Sequence, residues 1–293
     1  MFDIKKIIGG SLVALTLALP GSAWADWPKD KPLTIVVPFP PGGVTDQLAR
    51  LLSKELSSSL EQTVLVQNRP GAGGLLGVRV AAQAPADGYT ILLSQIASHG
   101  SLPSLHKKLD YDPVRSFSPV VLLTAHPNML VVNPATPVSS VAELIAFAKA
   151  KPGALDYSSA GIGTTFHLSA ELFKSIANVF VTGIHYQGGA PAVLAALSGE
   201  VDLVFSDLAT ALTHVKAGSL RALGVTSKSR SPAAPDVPAI AETPGMEDFE
   251  VVSWISFHYP AGVPEEIVRR LNAAANDALR SEPLRQWLAN SGG

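Results

Sequence analysis

Two hydrophobic rhythms take turns along this chain. Residues 33–37, Leu-Thr-Ile-Val-Val, form a short β-branched run that stops at prolines, as a buried strand does. Past Gly42-Gly43, the apolar positions Leu48, Leu51, Leu52 and Leu56 recur at spacings of three and four, which predicts a helix over residues 45–60. The exchange continues with a strand at 63–67, a loop at 68–74, a helix at 75–84 and a strand at 89–94. That βαβαβ order argues for a mostly parallel sheet covered by helices. Residues 110–119 read as irregular, and 120–133 as two short strands around His126-Pro127. A capped helix follows from Ser139 to about residue 149, ended by Pro152-Gly153. Strands are then expected at 155–158, 179–185, 201–206 and 220–226, with helices after the first three. Residues 229–238, rich in Pro and Ala, read as a surface stretch, 251–259 as a last strand and 265–280 as a long amphipathic helix.

Two of the strand-to-helix joints are rich in glycine. The first is Pro40-Pro41-Gly42-Gly43-Val44-Thr45-Asp46, and the second is Ser158-Ser159-Ala160-Gly161-Ile162-Gly163-Thr164-Thr165. Such a joint leaves unpaired backbone N–H groups at the positive end of a helix dipole, which suits an anion. One loop of this kind is equally well a tight βα turn. Two of them imply similar half-structures facing each other across a cleft, where ligands of open α/β sheets bind. The βαβ blocks join near residues 120–130 and again near 225–250, so the chain is expected to cross between domains twice. Paired crossings make a hinge. The expected division is 26–124 with 227–293 as domain 1 and 125–226 as domain 2.

The start of the chain changes the compartment. Lys5 and Lys6, an apolar run over residues 7–19 and Ala23-Trp24-Ala25 form an export signal, cleaved after Ala25. That run is too short to cross a bilayer, which needs ~20 residues. Cleavage leaves 268 residues with net charge −3, because the signal carries one Asp and two Lys. No basic stripe is present, so nucleic acid is not an expected partner. With no cysteine there is neither a disulfide nor a thiolate metal site, a composition at home in a bacterial periplasm.

Catalytic signatures do not emerge. There is no G-x-S-x-G elbow. The seven histidines include no H-x-x-x-H pair and no His/carboxylate cluster at ligand spacing. Gly71-Ala72-Gly73-Gly74-Leu75-Leu76-Gly77 has the spacing G-x-G-x-x-x-G, follows a proline and lacks the acidic residue of a dinucleotide site. No catalytic residue, metal or cofactor is expected, and an exported hydrolase is the weaker alternative.

Nine short motifs, in order, resemble the Bug solute receptors of tripartite tricarboxylate transporters. They are Val37-Pro38-Phe39-Pro40-Pro41-Gly42-Gly43 with Asp46 and Ala49-Arg50, then Asn68-Arg69-Pro70-Gly71-Ala72-Gly73-Gly74, Ala86-Asp87-Gly88-Tyr89-Thr90 and Tyr111-Asp112-Pro113. Gly161-Ile162-Gly163-Thr164, Tyr186-Gln187-Gly188-Gly189, Gly218-Ser219-Leu220-Arg221-Ala222-Leu223, Pro235-Asp236-Val237-Pro238 and Pro260-Ala261-Gly262-Val263-Pro264 complete the set. The resemblance implies an α/β, two-lobed periplasmic-binding-protein fold of type II that closes on a small organic carboxylate. It also implies a monomer that delivers the ligand to two membrane subunits, and a receptor feeding a two-component sensor would have the same ligand chemistry. Carried onto this chain, the family site implies Pro41, Gly42 and Gly43 from domain 1 and Gly161, Gly163 and Thr164 from domain 2. Asp46 matches an acidic position and reads as a partner of its loop. Ser94 and Ser98 are expected to point into the cleft, with Tyr186 and Asp207 as further contacts. Two departures stand out. His185-Tyr186-Gln187-Gly188 replaces the family's Pro-Tyr-Lys-Gly, removing a cation beside the cleft. The chain also stops at Ser291-Gly292-Gly293, earlier than family members do, which would leave domain 1 short of a last strand and helix and loosen the hinge.

Overall fold

A computed structural model describes residues 27–293, so the expected export signal lies outside the described residues. The first lobe begins β1 (Leu33–Val37), α1 (Val44–Ser59), β2 (Val64–Asn68), α2 (Leu75–Ala82) and β3 (Thr90–Gln95), followed by the short α3 (Leu102–Leu105). β1 pairs in parallel with β2 and β3. Its residues Leu33, Ile35 and Val37 are fully buried against Leu48, Leu52 and Leu56 of α1, as the two rhythms predict. Removing any one of these leucines to alanine would cost ~2–5 kcal/mol.

The chain then runs through one long strand, β4 (Phe117–Val132). The second lobe follows as α4 (Val141–Ala150), β5 (Asp156–Ser159), α5 (Thr165–Ala177), β6 (Thr182–His185), α6 (Gly189–Ser198), β7 (Leu203–Asp207), α7 (Leu208–Lys216) and β8 (Arg221–Val225). The return is made by β9 (Val252–Pro260), and α8 (Glu265–Leu279) and α9 (Glu282–Ser291) close the first lobe. The strand order is β2-β1-β3-β9-β4-β7-β5-β6, with β8 also pairing β4. The sheet is therefore mixed. Each lobe has a parallel set, β1-β2-β3 or β5-β6-β7, joined to the antiparallel crossing strands.

β4 corrects the expectation of two short strands around His126-Pro127. It pairs with β9 as far as Pro127↔Val252 and with β7 from Asn128↔Asp207 onward. Proline cannot donate to a ladder. Here it sits where β4 changes partner, and the next amide, of Asn128, donates to Thr226 Oγ1 at 2.7 Å. α9 was also not foreseen. Ser281-Glu282-Pro283 carries its start signal, a cap residue, an acid and a proline in the first turn. Its Leu284 is fully buried in the first lobe's core.

Candidate functional site

The first glycine loop is braced from beneath by Asp46. Its carboxylate, only 3 % exposed, accepts the Gly42 N–H at 3.0 Å, Asn68 Nδ2 at 3.0 Å and both Arg50 Nε and Nη2 at 2.9 and 3.0 Å. Burial alone would raise this carboxyl's pKa, but the bonds from Arg50, Gly42 and Asn68 outweigh it and hold it below the ordinary range. Asp46 thus shapes the loop, as its sequence position suggests. Gly42 takes φ +89°, a turn a side chain rarely adopts. Gly43 caps α1 without any side-chain bond, and the amides of Val44 and Thr45 find no acceptor among the described residues.

The second loop holds itself. Thr164 donates to the Gly161 carbonyl through its amide at 3.2 Å and its hydroxyl at 2.7 Å. Gly161 N–H donates to Ser159 Oγ at 3.3 Å, and Gly163 N–H to His167 Nδ1 at 3.3 Å. Those two glycine amides are therefore engaged inside the loop, and the amides left over belong to the first turn of α5. Burial keeps His167 below the usual imidazole range.

The loops meet. A Cβ built on Gly73 would lie 2.7 Å from the Ile162 carbonyl oxygen, and one on Gly188 would lie 2.9 Å from Pro40 Cδ. Ser101 Oγ donates to the Gly163 carbonyl at 2.5 Å from the other lobe. Backbone stands against backbone across the cleft, so the two lobes are closed on each other.

Between them lies a cavity of about 40 Å³. Four helix N-termini open onto it: α1 through Gly43, Val44 and Thr45; α5 through Thr164, Thr165 and Phe166; α6 through Gly188, Gly189 and Ala190; and α7 through Asp207. None of the four has a side-chain cap bond. Phe39, Pro40, Pro41, Gln95, Ser253 and Ile255 stand in the same wall with Ala160 and Pro191, and no Lys or Arg lines it. The arrangement offers an anion oriented amides and dipole ends in place of a counter-ion.

A larger hollow of about 480 Å³ adjoins the cavity, sharing Phe39, Pro40 and Ala160 with it. Its other walls are the 71–74 loop, Leu105, His106, Ile162 and His185-Tyr186-Gln187. A third opening of about 630 Å³ lies between α7, α9 and the start of α1. It is lined by His214, Lys216, Trp287 and Asn290 together with residues of the first turns of α1 and α7.

The sequence-based candidates fall into three groups. Pro41, Gly43, Thr164 and Asp207 line the cavity, whereas Gly42, Asp46, Gly161 and Gly163 shape the loops around it. Tyr186 lines the outer hollow, with its hydroxyl turned to Glu200 at 2.8 Å. Ser94 and Ser98 are elsewhere. They bond each other at 3.0 Å and His99 Nδ1 at 2.7 and 2.9 Å, on the sheet face opposite Gln95. Alternation explains the miss, since successive strand residues point to opposite faces and Gln95 is the one that reaches the cavity.

Sequence reasoning also missed a polar floor. Thr124, His126 and Asn128 share one face of β4, and their cross-strand partners are Ile255, Ser253 and Asp207, all cavity residues. His126 is 1 % exposed and Asn128 0 %, yet both His126 nitrogens and Asn128 Oδ1 lack a hydrogen-bond partner. His126 Nε2 stands 3.5 Å from Asp207 Oδ1. Three polar residues at alternate positions of a mostly apolar strand are the available signal.

Comparison with known proteins agrees with this geometry. A sequence model described as the tripartite tricarboxylate transporter family receptor matches residues 48–293. Protein BugT of Bordetella pertussis (strain Tohama I) is 37 % identical over 293 residues, covering 100 % of this chain and 89 % of its own. An R. palustris protein solved with adipate superposes at a TM-score of 0.87 with 37 % identity, covering 91 % of this chain and 89 % of that one. MatC from Rhodopseudomonas palustris, solved with bound malate, superposes at 0.85 with 33 % identity, covering 90 % of each chain. With the loops, the cleft and the sequence in agreement over nearly its whole length, this chain belongs to the Bug-type receptors of the tripartite tricarboxylate transporter family.

Proposed function

We propose that this protein is a periplasmic receptor that captures a small organic carboxylate between its lobes and delivers it to the membrane subunits of a tripartite transporter. One observation carries the reading: four uncapped helix N-termini, two of them from the glycine loops, converge on a single interlobe cavity with no basic side chain in its wall. The solved relatives with adipate and malate support a carboxylate as the guest, and the family description supports the transporter as its destination.

The mechanism is binding without chemistry. The carboxylate first meets the amides of Val44 and Thr45 on the first lobe, residues 26–124 with 227–293. The second lobe, residues 125–226, then rotates about the crossing segments, and the first turn of α5 completes the shell. The rigid part of each loop is already built, by Asp46 in one and by the Thr164–Gly161 bonds in the other. Little ordering cost is left for the ligand to meet.

A thermal-shift screen of small carboxylates, adipate and malate among them, tests the reading. A ligand at about 100 times its Kd adds ~2.7 kcal/mol to stability, so a true ligand raises Tm. A well-folded protein whose Tm no carboxylate moves would contradict it. Loss of uptake of the matching acid in a strain lacking the gene would test the transport step, and intact uptake would refute it.

A further inference from the structure

The geometry points to Asp207 as the residue that selects the ligand's class: it receives a hydrogen-bond donor carried on the carbon next to the ligand's carboxylate, so the guest is a 2-hydroxy or 2-amino acid. The inference rests on the carboxylate reading above and narrows it.

Asp207 is out of place in an anion site. It is 9 % exposed, lines the cavity, and its carboxylate accepts no hydrogen bond among the described residues. The nearest approach is His126 Nε2 at 3.5 Å, beyond hydrogen-bond length. Beside it on the neighbouring strand stands Asn128, whose Nδ2 reaches Ser169 Oγ at 3.5 Å while its Oδ1 has no partner. Asn128 Oδ1 is a buried acceptor left open, which is costly, and the Asp207 carboxylate, with its side chain 13 % exposed, faces the cavity without a protein donor. A guest that brought only a carboxylate would add a like charge beside Asp207. A guest that also brings an O–H or N–H satisfies it, while the helix N-termini take the carboxylate.

Size fixes where that donor must be. At ~10–15 Å³ for each water-sized group, a cavity of about 40 Å³ holds about three of them. That is room for the two carboxylate oxygens and one further polar atom with the carbons linking them, which puts that atom on the adjacent carbon. The rest of the guest passes Phe39 and Pro40 into the outer hollow, which shares both residues with the cavity. The competing role for Asp207 is purely local. Its Oδ2 lies 3.8 Å from a Cβ built on Gly189, so the side chain stands at the start of α6, and Asp207 occupies the N-terminal flank of α7 without a cap bond. A dipole partner of that kind would influence stability and leave the choice between ligands untouched.

Calorimetric titration of matched acids separates the two roles. Malate and aspartate are compared with succinate, and 3-phenyllactate with 3-phenylpropionate, on the wild type, Asp207→Ala and Asp207→Asn, each checked for an intact melting transition. In the wild type the hydroxy or amino acid binds tighter than its deoxy partner by on the order of tenfold, the worth of one hydrogen bond to a charged group. In Asp207→Ala the ratio falls to near one, and the deoxy acids gain affinity because the like charge is gone. Asp207→Asn keeps an acceptor and retains part of the ratio, which preserves the test if the alanine variant folds poorly. Stronger binding of aspartate than malate assigns the donor as ammonium, and the reverse as hydroxyl. A wild-type ratio near one, or a ratio that survives in Asp207→Ala, overturns the assignment while leaving the carboxylate receptor standing. Failure of every acid to bind overturns both.

Discussion

Two buried histidine clusters flank the sheet where the lobes join, and they differ in whether they are finished. On one face, His99 and His258 stack with ring centroids 4.4 Å apart against Phe117. Their Nδ1 atoms bond Ser94, Ser98 and Ser256, and Tyr111 Oη donates to the Ser98 carbonyl at 2.7 Å. Among the described residues His99 Nε2 is the one fully buried histidine nitrogen there without a partner. On the other face, His126 has neither nitrogen bonded, Asn128 has an open acceptor, and Asp207 faces the cavity. The first cluster completes itself and holds the fold. The second leaves polar atoms without a protein partner beside the cavity, which supports the proposed site.

The largest way to break the comparison is acid. Burial depresses the His99 pKa to about 4, and burial with the neighbouring His99 depresses His258 to about 3, against 6.5 in an unfolded chain. The native state therefore holds both rings neutral while the unfolded chain takes up protons below pH 6.5. Their contribution is fully present above that pH and is lost as pH falls from 6.5 towards 4 and 3. For His99 alone the loss is roughly 3 kcal/mol. Urea unfolding at pH 7 and pH 4.5 measures it, and equal stability at both would show the cluster not to be buried neutral.

Next comes Gly43→Val. A Cβ there meets no atom within 4 Å and the backbone φ is −78°, so the fold accepts a side chain. The side chain occupies a wall of the cavity, and crowding of ~1–3 kcal/mol corresponds to roughly tenfold to hundredfold weaker binding. Unchanged affinity in calorimetry would remove Gly43 from the site.

Asp46→Ala should have a mixed effect. It deletes the acceptor of Gly42, Asn68 and Arg50, costing about 1–2 kcal/mol of stability. It also loosens the first loop, so affinity falls several-fold. A Tm loss with no affinity loss would mean the loop keeps its shape unaided.

Ser94→Ala sharpens the contrast with the smallest change. It removes the bonds to His99 and Ser98, about 1 kcal/mol of stability, and leaves binding as it was. A marked affinity loss would place Ser94 back in the cleft.

The amino-acid sequence displays most of the architecture because the helix and strand rhythms are strong and the glycine loops punctuate them. Gly42-Gly43 and Gly161-x-Gly163 were legible as turns feeding helices, and Asp46 as a partner of its loop. Side-chain direction at strand ends was not. A shift of one residue swaps faces, and that separates Ser94 from Gln95. His126-Pro127 read as a break because proline opposes a continuous ladder, and the change of partner that makes it tolerable is a tertiary fact. The polar floor required knowing that β4 crosses beneath both lobes.

The most direct measurement is a crystal structure of the protein with malate bound. The account predicts the carboxylate within hydrogen-bond distance of the Val44 or Thr45 amide on one side and the first-turn amides of α5 on the other, with the hydroxyl towards Asp207. Malate seated in the groove between α7 and α9, or held outside the lobes by a basic side chain, would contradict it.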